Sequence, residues 1–409
     1  MLFRFVCCSV LLVLAQSSLA ETPLGLNYSK QVTLSTLTQT IYDSAFEQQH
    51  KHTSQQHINA YSSRANALFS DAATVTLNHQ NDVLGSDDGL QEWEASIAAP
   101  LWLSGQQQQQ LNLSDSMKAG LIAYQDKIRL DASDQVRQLV WDIELKKVTT
   151  EHARKNWQTA QALESDVARR VKGGELAGTE GLLATTHKLE MHSIYLAAHS
   201  ALNNSLNHYQ LISENSELPF DYEEELSEQL MIGAHHPLLA MLDQQIETLR
   251  TQQRLAGYEH STNPNLSVGI RRERDERAEK FNTSVGVGIS FALGGEVYRQ
   301  PAITEAAKAL TSAQIMRQHV ERDLMIKLES SRYSLASKQQ QLSVIGQQQK
   351  TTQQYLSLQQ RAFELGEINL MTVLQSQTTA RKSSYHKQRL QVEIGQQTAI
   401  INQLLGVVL

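Results

Sequence analysis

The side chains best able to do chemistry in this sequence are its 14 histidines. A tight zinc site needs three or four ligands that converge on one ion, usually from helix positions three or four residues apart. His192 and His199 are seven residues apart and share a helix face, but His187 lies five residues before His192 and no carboxylate is interleaved at ligand spacing. We therefore interpret the histidines as polar surface residues and predict no resident metal.

The sequence also lacks the motifs of common enzymes. It contains no Gly-x-Ser-x-Gly, His-Glu-x-x-His or Walker-type segment. Catalysis also needs a concave pocket, which long packed helices do not readily supply. We predict a protein that is not an enzyme and that needs no cofactor.

The most informative spacing in the chain is a repeat around two glycines. Residues 169–182 and 361–374 align without a gap at an offset of 192 residues. The matched positions are Arg169 and Arg361, Gly174 and Gly366, Glu175 and Glu367, and Leu176 and Ile368. One structural unit is therefore duplicated in tandem, and we place the two copies at residues 21–218 and 219–409.

Each repeat is expected to contain one long helical hairpin. The sequence has no proline over residues 101–218 or 302–409, and a proline inside a helix costs about 3 kcal/mol. Apolar residues recur at the seven-residue spacing of helices that pack side by side, as at Leu328, Leu335 and Leu342. We predict helices of about 105 Å that end at Gly174 and Gly366, where each glycine takes the left-handed conformation of a helix C-terminus.

Four short stretches alternate between apolar and polar residues, as strands with two unlike faces do. They span about residues 73–79, 92–100, 265–271 and 283–291, and a short helix is expected before each pair. The polar face is built from Ser, Gly and Glu, which favours a membrane β-barrel over a soluble sheet that packs on a helix. Four strands cannot close around a channel, so several subunits must share one barrel.

The first 20 residues have the pattern of a signal peptide, with Arg4 before an apolar run and a small-x-small cleavage site that ends at Ala20. A lipoprotein anchor at Cys8 is the weaker alternative, because the apolar run before it is very short. Both cysteines, Cys7 and Cys8, would leave with the signal peptide. Loss of Arg4 changes the net charge from −7 to −8, which disfavours nucleic acid as a partner.

These features together resemble the TolC family of outer-membrane efflux proteins. The most specific likeness is the tip pattern Arg-x-x-x-x-Gly-Glu followed by a Leu-Leu or Val-Leu pair, which both repeats contain. Residues 234–240 and 263–270 are similar to the family's opening of the second repeat. The segment at residues 271–275, before the last strand, is similar to the cation-efflux (CzcC-like) branch.

The resemblance implies a fold, a location and a set of partners. The fold would be an α+β membrane protein in the bacterial outer membrane, in which a homotrimer forms one twelve-stranded barrel and long coiled-coil hairpins form a tunnel through the periplasm. Its function would be that of an exit duct in a tripartite efflux system. The duct would passively conduct substrates, metal cations among them, from a periplasmic adaptor and an inner-membrane pump of the RND type.

The hairpin tips are the candidate functional site that this resemblance implies. The residues that would dock onto the adaptor are Arg169, Gly174, Glu175, Leu176, Arg361, Gly366, Glu367 and Ile368. Family members often carry an acidic residue six positions after the tip glycine. The first tip has Glu180 at that position, but the second has Thr372, and Gln375 beyond it is neutral too. A periplasmic constriction lined by Thr372 and Gln375 would therefore be polar and uncharged.

A second interpretation stays open at the level of sequence. The same pattern of helices and strands would suit a periplasmic coiled-coil scaffold that transports nothing and whose sheet is soluble. Such a scaffold would be released by salt or osmotic shock, whereas a barrel would need detergent.

Overall fold

The computed structural model of the protein describes residues 26–43, 45–258, 263–294 and 296–409. The signal peptide expected over residues 1–20 lies outside these ranges. Within them, each half of the chain contains one or two short helices, then two strands of a shared sheet, then two long helices. Each half also contributes one two-residue strand to a small parallel pair.

The first half consists of β1 (Tyr28–Ser29), α1 (Leu34–Tyr42), α2 (Ala45–Ala65), β2 (Thr74–Asn81), β3 (Gln91–Pro100), α3 (Gln106–Lys172) and α4 (Gly178–Ser213). The second half consists of β4 (Leu218–Pro219), α5 (Pro237–Ala256), β5 (Asn265–Arg274), β6 (Asn282–Ser290), α6 (Glu296–Glu364) and α7 (Leu370–Leu404). The same order of elements therefore recurs in both halves, except that two short helices precede the strands in the first half and one in the second.

The long helices α3 and α6 contain 67 and 69 residues, so each extends for about 100 Å. The helix α6 begins before Pro301, although proline would ordinarily mark a boundary. The ring removes one main-chain hydrogen bond close to the helix start, where few bonds are lost. Thr304 is anchored to the same segment, because its hydroxyl donates to the carbonyl of Gln300 at 2.8 Å.

The return helices α4 and α7 contain 36 and 35 residues and pack along the tip-proximal part of α3 and α6. In the part nearer the sheet, α2 packs on α3, while α5 packs on both α3 and α6. The helix α3 also packs directly on α7, which joins the two repeats. Among the residues that the structure describes, no helix is both long and apolar enough to cross a membrane.

The hydrophobic core is a series of narrow seams between these helices. Leu328 and Leu335 of α6 are buried against Ile401 and Leu405, which confirms the expected seam at these two positions, whereas Leu342 is only partly buried. A second seam at the centre of the first repeat joins α3 to α4 and to the small parallel strand pair. Its members include Val136, Leu139, Val140, Ile143, Leu202, Tyr209 and Leu218.

The main sheet is antiparallel, with the strand order β2-β3-β5-β6. The central pairing of β3 with β5 joins the two repeats, and β2 and β6 form the two outer edges. The register brings apolar residues of all four strands into continuous rows. One such row consists of Val75, Ile97, Val268 and Val287.

Candidate channel wall and docking tips

One face of the sheet is apolar and exposed. Its side chains alternate along each strand with those of the opposite face, as period-two geometry requires. Val75 is 66% exposed, Leu77 77% and Val287 73%. The remaining large members are Trp93, Ile97, Leu266, Val268, Ile270, Val285 and Ile289. A contiguous apolar surface that crosses four strands is unusual on a soluble monomer and typical of a surface that meets lipid or another protein.

The opposite face of the same strands is polar and lined by small side chains. Its rows near the helices contain residues such as Thr76, Ser96, Gly269 and Gly286. The glycines add no side chain to this face. At Gly286 the face is open, because an added Cβ would meet no atom within 4 Å. Small polar side chains of this kind suit the water-filled interior of a barrel.

The polar face becomes charged at the loop end of the sheet. Arg271 contacts two carboxylates there, with its Nε 2.7 Å from Glu92 Oε1 and 2.8 Å from Glu273 Oε2. Glu94 lies opposite Arg271 in the ladder and makes no ion pair among the described residues. Three carboxylates and one guanidinium give this end of the face a net charge of −2 per chain (one positive, three negative).

The two hairpin tips have the same main-chain geometry. Gly174 and Gly366 both have a φ of 78°, in the left-handed region. At the first tip the N–H of Glu175 donates to the carbonyl of Arg170 at 2.9 Å, and the N–H of Gly174 donates to Val171 at 3.1 Å. The second tip repeats this pair of bonds, which defines a Schellman C-cap and confirms the conformation expected of both glycines.

The tip residues named from the sequence fall into two groups. Arg169, Glu175, Arg361 and Glu367 are exposed, as are both glycines, whereas Leu176 and Ile368 are partly buried. These two apolar side chains pack on a cluster that holds the two hairpins together. The cluster consists of Val167, Ala184, Phe363, Leu370, Val373 and Leu374. Leu176 and Ile368 therefore stabilise the joined tips from inside and present little surface to a partner.

The exposed apolar side chains at the tips are other residues, which were not among the docking residues expected from the sequence. Leu182 is 72% exposed, Leu365 69% and Met371 45%. Leu365 immediately precedes the tip glycine, and that position, at the end of a helix and beside a turn, was the available signal. Together with the exposed charges they form a mixed surface of the kind that a protein partner can bind.

The two residues expected at a constriction lie just beyond the second tip. Thr372 is part of the N-terminal cap of α7: its N–H and its hydroxyl donate to Asn369 Oδ1 at 3.0 and 2.8 Å. Gln375 is exposed on the next turn. At the equivalent place in the first repeat, Glu180 lies in the first turn of α4 and is partly buried.

Where α3 packs on α7, a polar network joins the two repeats. Asn156 contacts His152 Nε2 at 3.0 Å and accepts a bond from Arg381 at 3.0 Å, and Arg381 also donates to Thr159. The imidazole of His152 stacks on Tyr385 with 4.6 Å between ring centres. Burial, followed by the positive charge of Arg381, lowers the pKa of His152 to about 4.

Other histidines also serve as ring partners. His192 stacks on Trp157 with ring centres 4.5 Å apart, and His79 stacks on Trp93 at 4.0 Å. Within the described ranges, no three His, Cys, Asp or Glu side chains are grouped so that they could hold a metal ion.

Comparison with known proteins identifies the fold through structure and not through sequence. No protein-family model matches the sequence, and no curated protein is detectably similar to it. Several solved structures do match over nearly their whole length. The outer membrane protein VceC of Vibrio cholerae superimposes with a TM-score of 0.71 at 13% identity, over 91% of this chain and 96% of VceC.

Two further channels give the same result. The Campylobacter jejuni CmeC outer membrane channel has a TM-score of 0.69 at 11% identity, over 96% of this chain and 90% of its own. The open Neisseria gonorrhoeae MtrE outer membrane channel has a TM-score of 0.65 at 12% identity, over 91% and 89%. The chain therefore has the fold of these outer-membrane channels, which confirms the long helices and the antiparallel sheet that the TolC-family resemblance implies for one chain.

Proposed function

We propose that this protein is the outer-membrane channel of a tripartite efflux system, in which three copies share one barrel and one periplasmic tunnel. The observation that carries the proposal is the sheet, whose apolar face is exposed and whose opposite face is polar. A lipid-facing wall with a watery interior needs this distribution, and a soluble sheet would instead bury its apolar face. The match in fold to known outer-membrane channels supports the same placement.

The sheet also requires more than one copy of the chain. The outer edges of β2 and β6 have no partner strand within the described chain, and lipid cannot satisfy main-chain N–H and C=O groups. Pairing β2 of one copy with β6 of the next would close both edges. Three copies would give twelve strands, the number that the family resemblance implies.

The helices α4 and α6 each carry an exposed apolar stripe. On α4, Leu182, Leu189 and Leu196 are spaced by seven residues and are 72%, 60% and 54% exposed. On α6, the exposed apolar residues include Ile326, Tyr333, Val344 and Tyr355, spaced by seven or eleven residues. Spacings of seven and eleven keep residues on one face of a helix. Contact between α4 of one copy and α6 of the next would bury both stripes.

Transport through such a duct would be passive. The sequence has no nucleotide-binding motif, so the energy would come from an inner-membrane pump to which an adaptor connects the tips. The exposed tip residues Arg169, Glu175, Arg361, Glu367 and Leu365 are the candidates for that contact. A wide polar path also binds its cargo weakly, which permits exit.

The charge of the barrel mouth bears on the substrate. A net charge of −2 per chain at the loop end becomes −6 in a trimer, a ring that would attract cations more than anions. This distribution is compatible with the cation-efflux branch that the sequence resembles. Metal cations would then be cargo, which requires no tight ligand set along the path.

A planar lipid bilayer tests the proposal. Purified protein added to one side should produce stepwise current increments, with a reversal potential in a KCl gradient that indicates preference for K⁺. Glu94→Gln should reduce that preference, whereas Arg277→Gln, which removes a cation from the loop that follows β5, should not reduce it. A protein that gives no steps, and that osmotic shock releases from cells, would be the coiled-coil scaffold instead.

A further inference from the structure

Charges on the two faces of the sheet are segregated at its loop end. On β3 and β5 the carboxylates Glu92, Glu94 and Glu273 all belong to the polar inner face. The cations Arg272 and Arg274 belong to the other face, because they continue the alternation of the outward apolar residues at even positions of β5. The inward Arg271 is neutralised by carboxylates, and the outward pair is not.

The two outward arginines share one aromatic ring. The guanidinium carbons of Arg272 and Arg274 lie 4.6 and 4.9 Å from the centre of the Phe281 ring. Neither side chain forms an ion pair with any described residue. The Nε of Arg274 is buried and has no hydrogen-bond partner in the described structure. The ring of Phe281 therefore positions both guanidinium groups, and their N–H donors contact no carboxylate among the described residues.

Their position relative to the apolar band is well defined. Arg272 follows the exposed Ile270 by one outward position, which is about 6.6 Å along a strand. It lies opposite Trp93 in the ladder, and Trp and Tyr side chains concentrate at the boundary between hydrocarbon and headgroups. The arginines thus lie where headgroups begin, on the side of the sheet away from the long helices.

We propose that Arg272, Arg274 and Phe281 form a binding site for the phosphate group of an anionic lipid in the outer leaflet. A guanidinium presents paired N–H donors that match two phosphate oxygens, and two guanidiniums can hold one phosphate from both sides. The apolar band below would contact the acyl chains of the same lipid. This site rests on the proposed membrane placement of the sheet, and the occupant follows from its charge and depth.

Native mass spectrometry of the detergent-solubilised protein tests the site. The probes are dioleoyl phosphatidic acid and dioleoyl phosphatidylcholine, which share acyl chains and differ in headgroup charge. We expect bound phosphatidic acid to exceed bound phosphatidylcholine by about tenfold, the ratio that one charge-assisted hydrogen bond supplies. Arg272→Gln with Arg274→Gln should bring that ratio close to one. The matched control is Arg271→Gln, which removes a cation from the same strand but from the inner face.

The outcomes separate this site from the proposed function. If wild-type trimers form but show no preference for phosphatidic acid, the lipid site is wrong while the channel assignment stands. Equal loss of preference in Arg271→Gln would show an effect of net charge and would also overturn the site. Suppression of phosphatidic acid binding by millimolar inorganic phosphate would assign the arginines to a soluble anion and not to a lipid. If the wild-type protein forms no trimer, the channel assignment fails and the lipid site fails with it.

Discussion

At the scale of single residues, the tip glycines show what a turn demands of the sequence. Both have the same positive φ, and neither has an atom within 4 Å of an added Cβ. A side chain there would therefore clash with nothing, and its cost would come only from the left-handed main-chain conformation. That conformation costs an L-residue about 1–2 kcal/mol. Gly173 offers no replacement, because its φ is −77° and it belongs to the helical end.

We expect Gly366→Val and Gly174→Val to weaken the tips equally, by about 1 kcal/mol or more each. The repeat pattern alone suggests a milder effect at Gly174, since Gly173 and Gly178 lie nearby, but the equal geometry removes that distinction. Both variants should still form membrane-inserted trimers, and both should lose cross-linking to the adaptor at cysteines introduced in the tips. Full adaptor capture by both variants would show that docking occurs elsewhere.

His152 makes stability depend on pH. Its pKa is about 4 in the folded protein and about 6.5 in an unfolded chain, so the unfolded chain binds the proton more readily between these values. The contribution of His152 to the free energy of unfolding is fully present above about pH 6.5, and it is lost as the pH decreases toward 4. The melting temperature of the purified protein should therefore drop between pH 7 and pH 5, and His152→Gln should make that drop smaller. An unchanged drop in the variant would exclude His152 as its source.

At the scale of elements, the contact between α3 and α7 depends on the absence of a side chain. A Cβ added at Gly395 would lie 2.2 Å from Trp141 Cη2, so the indole of α3 packs directly against the main chain of α7 there. Gly395→Ala should destabilise the protein by about 1–3 kcal/mol, the usual range for overpacking. The matched control is Gly346→Ala on α6, where nothing lies within 4 Å and helix propensity should favour alanine by up to about 1 kcal/mol. Comparison of the two melting temperatures checks the prediction, and equal shifts would contradict it.

The strands allow a paired test of their two faces. Val287→Arg places a charge on the exposed apolar face and should cost about 2–4 kcal/mol near the middle of a bilayer. Gly286→Ser adds a small polar group to the open inner face and should assemble normally. The amount of trimer in outer membranes, measured on unheated gels, reports both effects. Equal assembly defects in the two variants would contradict the assignment of faces.

Elements with a local pattern could be predicted from the sequence, and contacts between distant elements could not. Period-two alternation located the four strands, although β2 and β5 extend past the expected residues 79 and 271, because ladder pairing continues into polar sequence. By contrast, Arg137 donates to Glu224 at 2.8 and 2.6 Å and to the carbonyl of Val407 at 3.1 Å. Such a buried pair joins segments far apart in the chain and leaves no periodic signal.

The candidate site shows the same division. The tip glycines were predictable because a turn after a helix needs a residue that tolerates positive φ. The burial of Leu176 and Ile368 was not, since it arises where one hairpin tip packs on the other. The outward arginines were also missed, because the strand was expected to end at residue 271, and only its continuation to Arg274 extends the alternation to Arg272 and Arg274.

At the scale of the whole molecule, the single chain leaves three kinds of surface uncovered. These are the apolar face of the sheet, the open edges of β2 and β6, and the apolar stripes on α4 and α6. Lipid can cover only the first, because it supplies no hydrogen bonds to strand edges. Copies of the same chain can cover the other two at once, which is why a closed ring explains more of the structure than a monomer does.

Cysteine cross-linking between copies in intact outer membranes shows whether β2 of one chain pairs with β6 of the next. The predicted signal peptide contains both native cysteines, so any disulfide in the mature protein must join introduced cysteines. Single cysteines at Val75 or Leu77 of β2 would be combined with ones at Val285 or Val287 of β6, and paired strands bring some of these within bonding distance. The pair Ile97 and Val268, which face each other within one chain, is the control and should give no larger species.

If three chains share one barrel, at least one β2–β6 pair should give a ladder of one, two and three chains, and nothing larger. Extraction of the trimer should also need detergent and should not occur on osmotic shock. Absence of a ladder from every β2–β6 pair, in a preparation whose Ile97–Val268 control closes normally, would contradict the shared barrel and with it the proposed channel.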